Sequence, residues 1–99
     1  MIDHARLTTF LRQHFALDWH GIHGASHWAR VSRFSRYLAQ GTSADTEVLS
    51  LFALMHDSCR ESDLGDPGHG ERAARLAKEM NGHLYRINSA QEECLAEAI

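Results

Sequence analysis

The sequence predicts an all-α protein, a single bundle of five helices over residues 1–99. Three observations predict it. Apolar residues recur every three or four positions in five separate segments. No segment keeps the period-two alternation of a strand for long. The one proline and most of the seven glycines fall between the periodic segments, where they stop or turn the chain. A length of 99 residues suits one domain, and 43% hydrophobic with 23% charged residues excludes a disordered chain.

Helix 1 is expected from about Asp3, a plausible N-cap, to Ala16, with Leu7, Phe10, Leu11, His14 and Phe15 as its stripe. Helix 2 is expected from Ser26, as N-cap, to Gln40, with Gly41 as its stop. Its inward stripe reads His27, Val31, Phe34 and Leu38. Helix 3 is expected from Asp45 to Ser58. Its centre, Val48 to Met55, is apolar nearly all round and belongs in the middle of the core. Helix 4 is expected to begin at Asp66-Pro67 and to end at Asn81-Gly82. Helix 5 is expected to begin at Ser89, where Ser89 to Glu92 fits a capping box. It is still periodic at Leu95, Ala98 and Ile99, which leads to the expectation of a shortened version of something longer.

Composition narrows the function. The formal net charge is -3, no lysine or arginine run occurs, and no helix reads as a basic recognition helix, so a helix-turn-helix DNA binder is disfavoured. No apolar stretch reaches the roughly 18 residues that a membrane span needs. Cys59 and Cys94 form no CxxC pair and no disulfide framework, so a cytoplasmic protein with reduced thiols is expected.

Histidine stands out, with eight in the chain. His27 opens helix 2, and His56 extends the Leu49-Phe52 stripe at the end of helix 3. The connection between the two helices is short, so they should lie antiparallel. From His27 to that connection is roughly 20 Å of helix, and from it to His56 roughly 17 Å. The two histidines should therefore meet at one end. Asp57 follows about 100° further round. Two imidazoles and a carboxylate suit one divalent cation, with zinc, manganese, iron, cobalt, nickel and magnesium as candidates. His69, between Gly68 and Gly70 in the first turn of helix 4, could bind phosphate together with the helix N-terminus. Arg60 could neutralise a phosphate with its planar fork. For both residues the alternative is a solvated side chain.

The segments HGASHWARV (His23 to Val31) and LFALMHDSCRESD (Leu51 to Asp63) resemble the early motifs of the HD-domain superfamily of metal-dependent phosphohydrolases. DPGHG (Asp66 to Gly70), followed by a helix, is similar to a feature of one bacterial branch of HD hydrolases. The resemblance covers about His20 to Gly82. It implies a helical domain whose metal is held by His27 and the His56-Asp57 doublet. It also implies a later aspartate, for which this chain offers no residue, so the family's C-terminal helices are expected to be missing. His23, within the similar segment, is expected behind the ligands or facing substrate. The activity implied is hydrolysis of a small, nucleotide-like phosphate ester, with Asp57, His69 and Arg60 as catalytic residues and His23, His69 and Arg60 on the substrate. The alternative is a sensor or assembly module that binds metal or nucleotide without turnover. Neither nucleic acid nor membrane is expected as a partner. An uncovered apolar face on helix 5 would favour a homodimer.

Overall fold

The structure, a computed structural model, describes residues 2–99. It is all-helical: five α-helices, no extended strand among the described residues, and two isolated bridges where Tyr85 meets Ile2 and Asn81. Its radius of gyration, 12.8 Å, is that of a folded chain of this length, for which about 13 Å is expected.

Helix α1 spans His4–His14. The Asp3 carboxylate accepts the Arg6 N–H at 3.1 Å, as an N-cap should. Leu7 and Leu11 are fully buried. The helix stops two residues earlier than expected because Phe15 turns extended. Its ring then meets Trp19 and Trp28 edge-on, at 5.9 and 5.3 Å between centroids.

Helix α2 spans Ala25–Ala39, and its N-cap is Gly24, not Ser26. The Trp19 carbonyl accepts the Ala25 N–H at 2.8 Å and brings the preceding loop hard against the helix start. A Cβ at Gly24 would lie 2.1 Å from that carbonyl oxygen, so only glycine fits. The helix is also rotated from the expected face. Phe34 and Leu38 are 65% and 73% exposed, and Val31 is half-buried. The inward face instead runs through buried Trp28 and half-buried Val31, Ser32, Ser35 and Ala39. Trp28 anchors this face, and its small residues let α2 lie close against α3. Gly41, at φ +74, reverses the chain where a stop was expected.

Helix α3 spans Thr46–Met55 at the centre, packed against α2, α4 and α5. Asp45 caps it by accepting the Glu47 and Val48 N–H groups at 2.9 and 3.1 Å. Val48, Leu51, Ala53 and Met55 are buried, in line with the apolar sequence there. Residues 56–59 continue as tight turns instead of helix. The Ser58 N–H and Oγ both donate to the Met55 carbonyl, at 3.1 and 2.7 Å.

Helix α4 spans His69–Met80 and starts after Gly68, two residues later than the Asp66-Pro67 start. Asp66 is held elsewhere: its carboxylate takes the Arg72 guanidinium and the Glu61 N–H. Helix α5 spans Ser89–Ala98. Its capping box lies one residue earlier than expected. Asn88 accepts the Gln91 N–H at 2.8 Å, and the Gln91 side chain accepts the Asn88 N–H at 2.9 Å. Gln91 also donates to Asp45, tying the starts of α5 and α3 together. Leu95 is fully buried and Ile99 half-buried against the core, so the chain itself covers much of the α5 face expected to stay open. The exposed large apolar residues are Ile22, Phe34, Tyr37, Leu38 and Leu64.

Candidate metal centre

The hairpin of α2 and α3 brings His27 and His56 together at one end, as their matched lengths require. His27 sits in the first turn of α2, held by the tight Trp19–Gly24 approach and by Trp28, whose indole N–H donates to the His23 carbonyl at 2.8 Å. His56 caps α3, and Asp57 follows in the turn, 3% exposed.

The Asp57 Oδ2 atom lies 2.9 Å from His27 Nε2 and 3.2 Å from His56 Nε2. The two Nε2 atoms are 3.2 Å apart. Ligands about 2.1 Å from a metal stand about 3.0 Å apart when cis in an octahedron and about 3.4 Å apart in a tetrahedron. All three edges fall on or near that range, so His27, His56 and Asp57 form a group that could hold a metal ion.

The protonation pattern points the same way. The Phe52 carbonyl lies 2.9 Å from His56 Nδ1 and can only accept, so Nδ1 carries the proton. In the neutral ring, Nε2 then presents a lone pair to Asp57 Oδ2, itself an acceptor. One N–H, from His27, can bridge one edge of the triangle well. A shared cation satisfies all three. A backbone carbonyl that fixes the tautomer in this way is the usual support of a ligating imidazole.

Charge around Asp57 is arranged to match. Burial alone would raise its carboxyl, but contacts with His56 in its cationic form and with Arg60 outweigh that and hold it well below the usual carboxylate range. Burial also lowers His27, against the pull of Asp57, which favours the neutral ring that ligates.

The structure gathers the other candidates around this triad. Arg60 Nε donates to Asp57 Oδ1 at 2.9 Å, and its NH1 group reaches the Ser62 and Leu64 carbonyls. Arg60 is thus fastened to Asp57, not extended into solvent. His69, the first residue of α4, lies 3.6 Å from Asp57 Oδ1. Its Nδ1 donates to the His56 carbonyl at 3.3 Å, and its Nε2 accepts from Arg60 at 3.5 Å. His23 stands edge-on to His27 with centroids 5.9 Å apart, and its Nδ1 meets Asp63 Oδ1 at 2.9 Å. Sequence reasoning missed that His23–Asp63 pair, because 40 residues and an irregular loop separate the partners. It also missed the Phe52 carbonyl, although a histidine four residues past a helical carbonyl near the helix end was a readable signal.

Cys59 and Cys94 are both free thiols. No helix among the described residues is long and apolar enough to cross a membrane. Compared with protein-family models, curated proteins and solved structures, the chain finds no match.

Proposed function

We propose that the chain is the metal-binding core of a divalent-metal-dependent phosphohydrolase of the HD type, acting on a nucleotide or another small phosphate ester. The observation that carries this reading is the His27–His56–Asp57 triangle, with ligand-like edges and a locked His56 tautomer. The similarity of the His23–Val31 and Leu51–Asp63 segments to the HD motifs supplies the reaction class. When bound, the ion would polarise a phosphoryl oxygen and acidify water. Manganese, zinc, iron, cobalt, nickel and magnesium are the candidates.

The chain's own residues then have distinct tasks. His27, His56 and Asp57 hold the ion. Arg60 keeps Asp57 ionised and oriented. His69, with both ring nitrogens engaged, braces Arg60 and the His56 carbonyl, and the first turn of α4 faces the same end and would offer backbone N–H groups to a phosphate. His23, oriented by Asp63, borders the triad on the α2 side and would contact the leaving group.

The test is hydrolysis of p-nitrophenyl phosphate, its bis ester and nucleoside monophosphates with each candidate metal in turn. Metal-dependent turnover that His56→Ala and EDTA both remove is expected. No turnover above background with any of these metals would end the hydrolase reading. A module that binds metal without turnover is the second reading. Arg60 favours it, because its guanidinium is engaged with Asp57 and two carbonyls and not open to a phosphate. Stoichiometric metal uptake, lost in His56→Ala and unaccompanied by turnover, would establish that reading instead.

A further inference from the structure

Away from the metal triad, α2 carries a second chemical feature. Its only charged side chains are Arg30, Arg33 and Arg36, and the helix contains no acid at all. Like charges at this spacing repel along a helix surface, so the arrangement costs stability unless an anion relieves it. All three are exposed. Among the described residues none of them has a carboxylate partner, and Arg36 Nε donates to the Ser32 carbonyl at 3.4 Å. In a chain of net charge -3, this is a local positive strip.

The strip borders a groove of about 540 Å³ between α2 and the neighbouring Thr8, Trp19 and Leu54. None of the residues lining it is acidic. The arginines form one wall, and Trp19, Trp28 and Leu54 supply an apolar floor. The Arg12 guanidinium lies 5.3 Å from the Trp19 ring centre and adds a fourth cation nearby. The size falls within the range of small-molecule sites, about 300–1,000 Å³, and the arginine fork matches phosphate oxygens. Arg30, Arg33 and Arg36 lie about 60°, 120° and 180° around the helix from His27, so the strip turns progressively away from the metal triad along α2.

We propose that this groove is a second, anion-binding site that takes a nucleoside polyphosphate, its phosphates on Arg30, Arg33 and Arg36 and its base against the Trp19–Leu54 floor. Three guanidiniums spread over two helical turns match a chain of phosphates better than a single anion. The apolar floor matches the flat ring that such a ligand carries. The proposal does not depend on the metal centre.

Both tryptophans of the chain line this groove, so intrinsic fluorescence reports on it directly. The 99-residue chain in EDTA is titrated with ATP, inorganic triphosphate, adenosine and polyglutamate. A saturable change with ATP is expected, with weaker binding of triphosphate and none of adenosine. The Arg33→Ala/Arg36→Ala variant should bind ATP at least about tenfold more weakly, since each lost charged contact accounts for about that factor or more. Its circular dichroism should be unchanged, and Arg30→Ala should weaken binding independently. His56→Ala should bind ATP as the parent does. Absence of saturation up to about 1 mM ATP would overturn the proposal. So would affinity that survives the arginine substitutions, triphosphate binding as tightly as ATP, or tighter binding of polyglutamate. Loss of ATP binding in His56→Ala would move the phosphates to the metal centre and equally refute a second site.

Discussion

Asp57→Asn isolates the charge on which the candidate centre depends. The substitution keeps the shape and removes the carboxylate that His27, His56, His69 and Arg60 all face. Removing one partner of a buried pair costs about 3–5 kcal/mol. Arg60 is 16% exposed and keeps carbonyl contacts to Ser62 and Leu64 at 3.2 and 3.5 Å, so part of its charge stays compensated. The expected loss is therefore about 2–3 kcal/mol in metal-free protein. In a domain of this size that lowers Tm by about 10–20 °C. Urea unfolding in EDTA measures the difference. Repeating it with metal at a hundredfold excess over Kd should add about 2.7 kcal/mol to the parent and almost nothing to the variant. The reasoning fails if the variant matches the parent within about 0.5 kcal/mol in EDTA, or gains as much as the parent from metal.

Four further outcomes follow from the structure. Metal occupancy, read by elemental analysis after dialysis, should hold at about pH 7 and fall below about pH 6.5 as imidazoles protonate, a step that burial opposes at His27; unchanged occupancy at about pH 5 would exclude histidine ligation. In the metal-free protein the folded Asp57 carboxyl is depressed, so its contribution is complete above about pH 4 and is lost as acid carries it through that lowered value; an acid urea series in which parent and Asp57→Asn lose stability in parallel would refute this. Asn88→Ala should cost about 1 kcal/mol and Ser89→Ala only a few tenths, since Asn88 and not Ser89 makes the capping bond; the reverse order in thermal melts would put the box back at Ser89. Leu51→Ala should cost about 2–5 kcal/mol, because Leu51 is fully buried on the central helix; a loss under about 1 kcal/mol, nearer the cost of a surface change, would place it outside the core.

Local features were the most legible part of the sequence. Asp3 and Asp45 announce helix starts because a short acceptor just before a periodic run has donors within reach. The meeting of His27 with His56 followed from the lengths of two helices and a short connection, which needs no knowledge of packing detail. The rotation of α2 was not legible in the same way. Two stripes compete on that helix: His27-Val31-Phe34-Leu38 carries more apolar area, and Trp28-Ser32-Ser35-Ala39 permits closer approach. Periodicity cannot choose between them, and close packing chose the second. Asp66 and Ser89 misled for a related reason. Each is a good cap by type, but Arg72 holds the first, and Asn88 captures the position before the second. The arginine strip was open to view at positions 30, 33 and 36. Neither composition nor a run of basic residues marks it, since the overall charge is negative and no two of these arginines are adjacent.

The placement of the triad explains why a cation suits it independently of any ligand pattern. A helix C-terminus carries partial negative charge on carbonyls that lack helical partners. At the end of α3 the site's own side chains add bonds to the last carbonyls, beside the backbone N–H of His56 on Phe52 and of Ser58 on Met55: His56 Nδ1 donates to Phe52, Ser58 Oγ to Met55, and His69 Nδ1 to His56. Each of these bonds also fixes the direction of a ring or turn in the centre. Satisfying the helix end and orienting the ligands are thus one set of interactions. The negative helix end and the ionised Asp57 add together where His27 and His56 present their Nε2 atoms. Arg60 offsets part of this charge from the Oδ1 side, which leaves the Oδ2 side, where both imidazoles converge, as the place that draws positive charge. A proton can occupy one edge of that triangle at a time, whereas a divalent ion can answer all three donors at once.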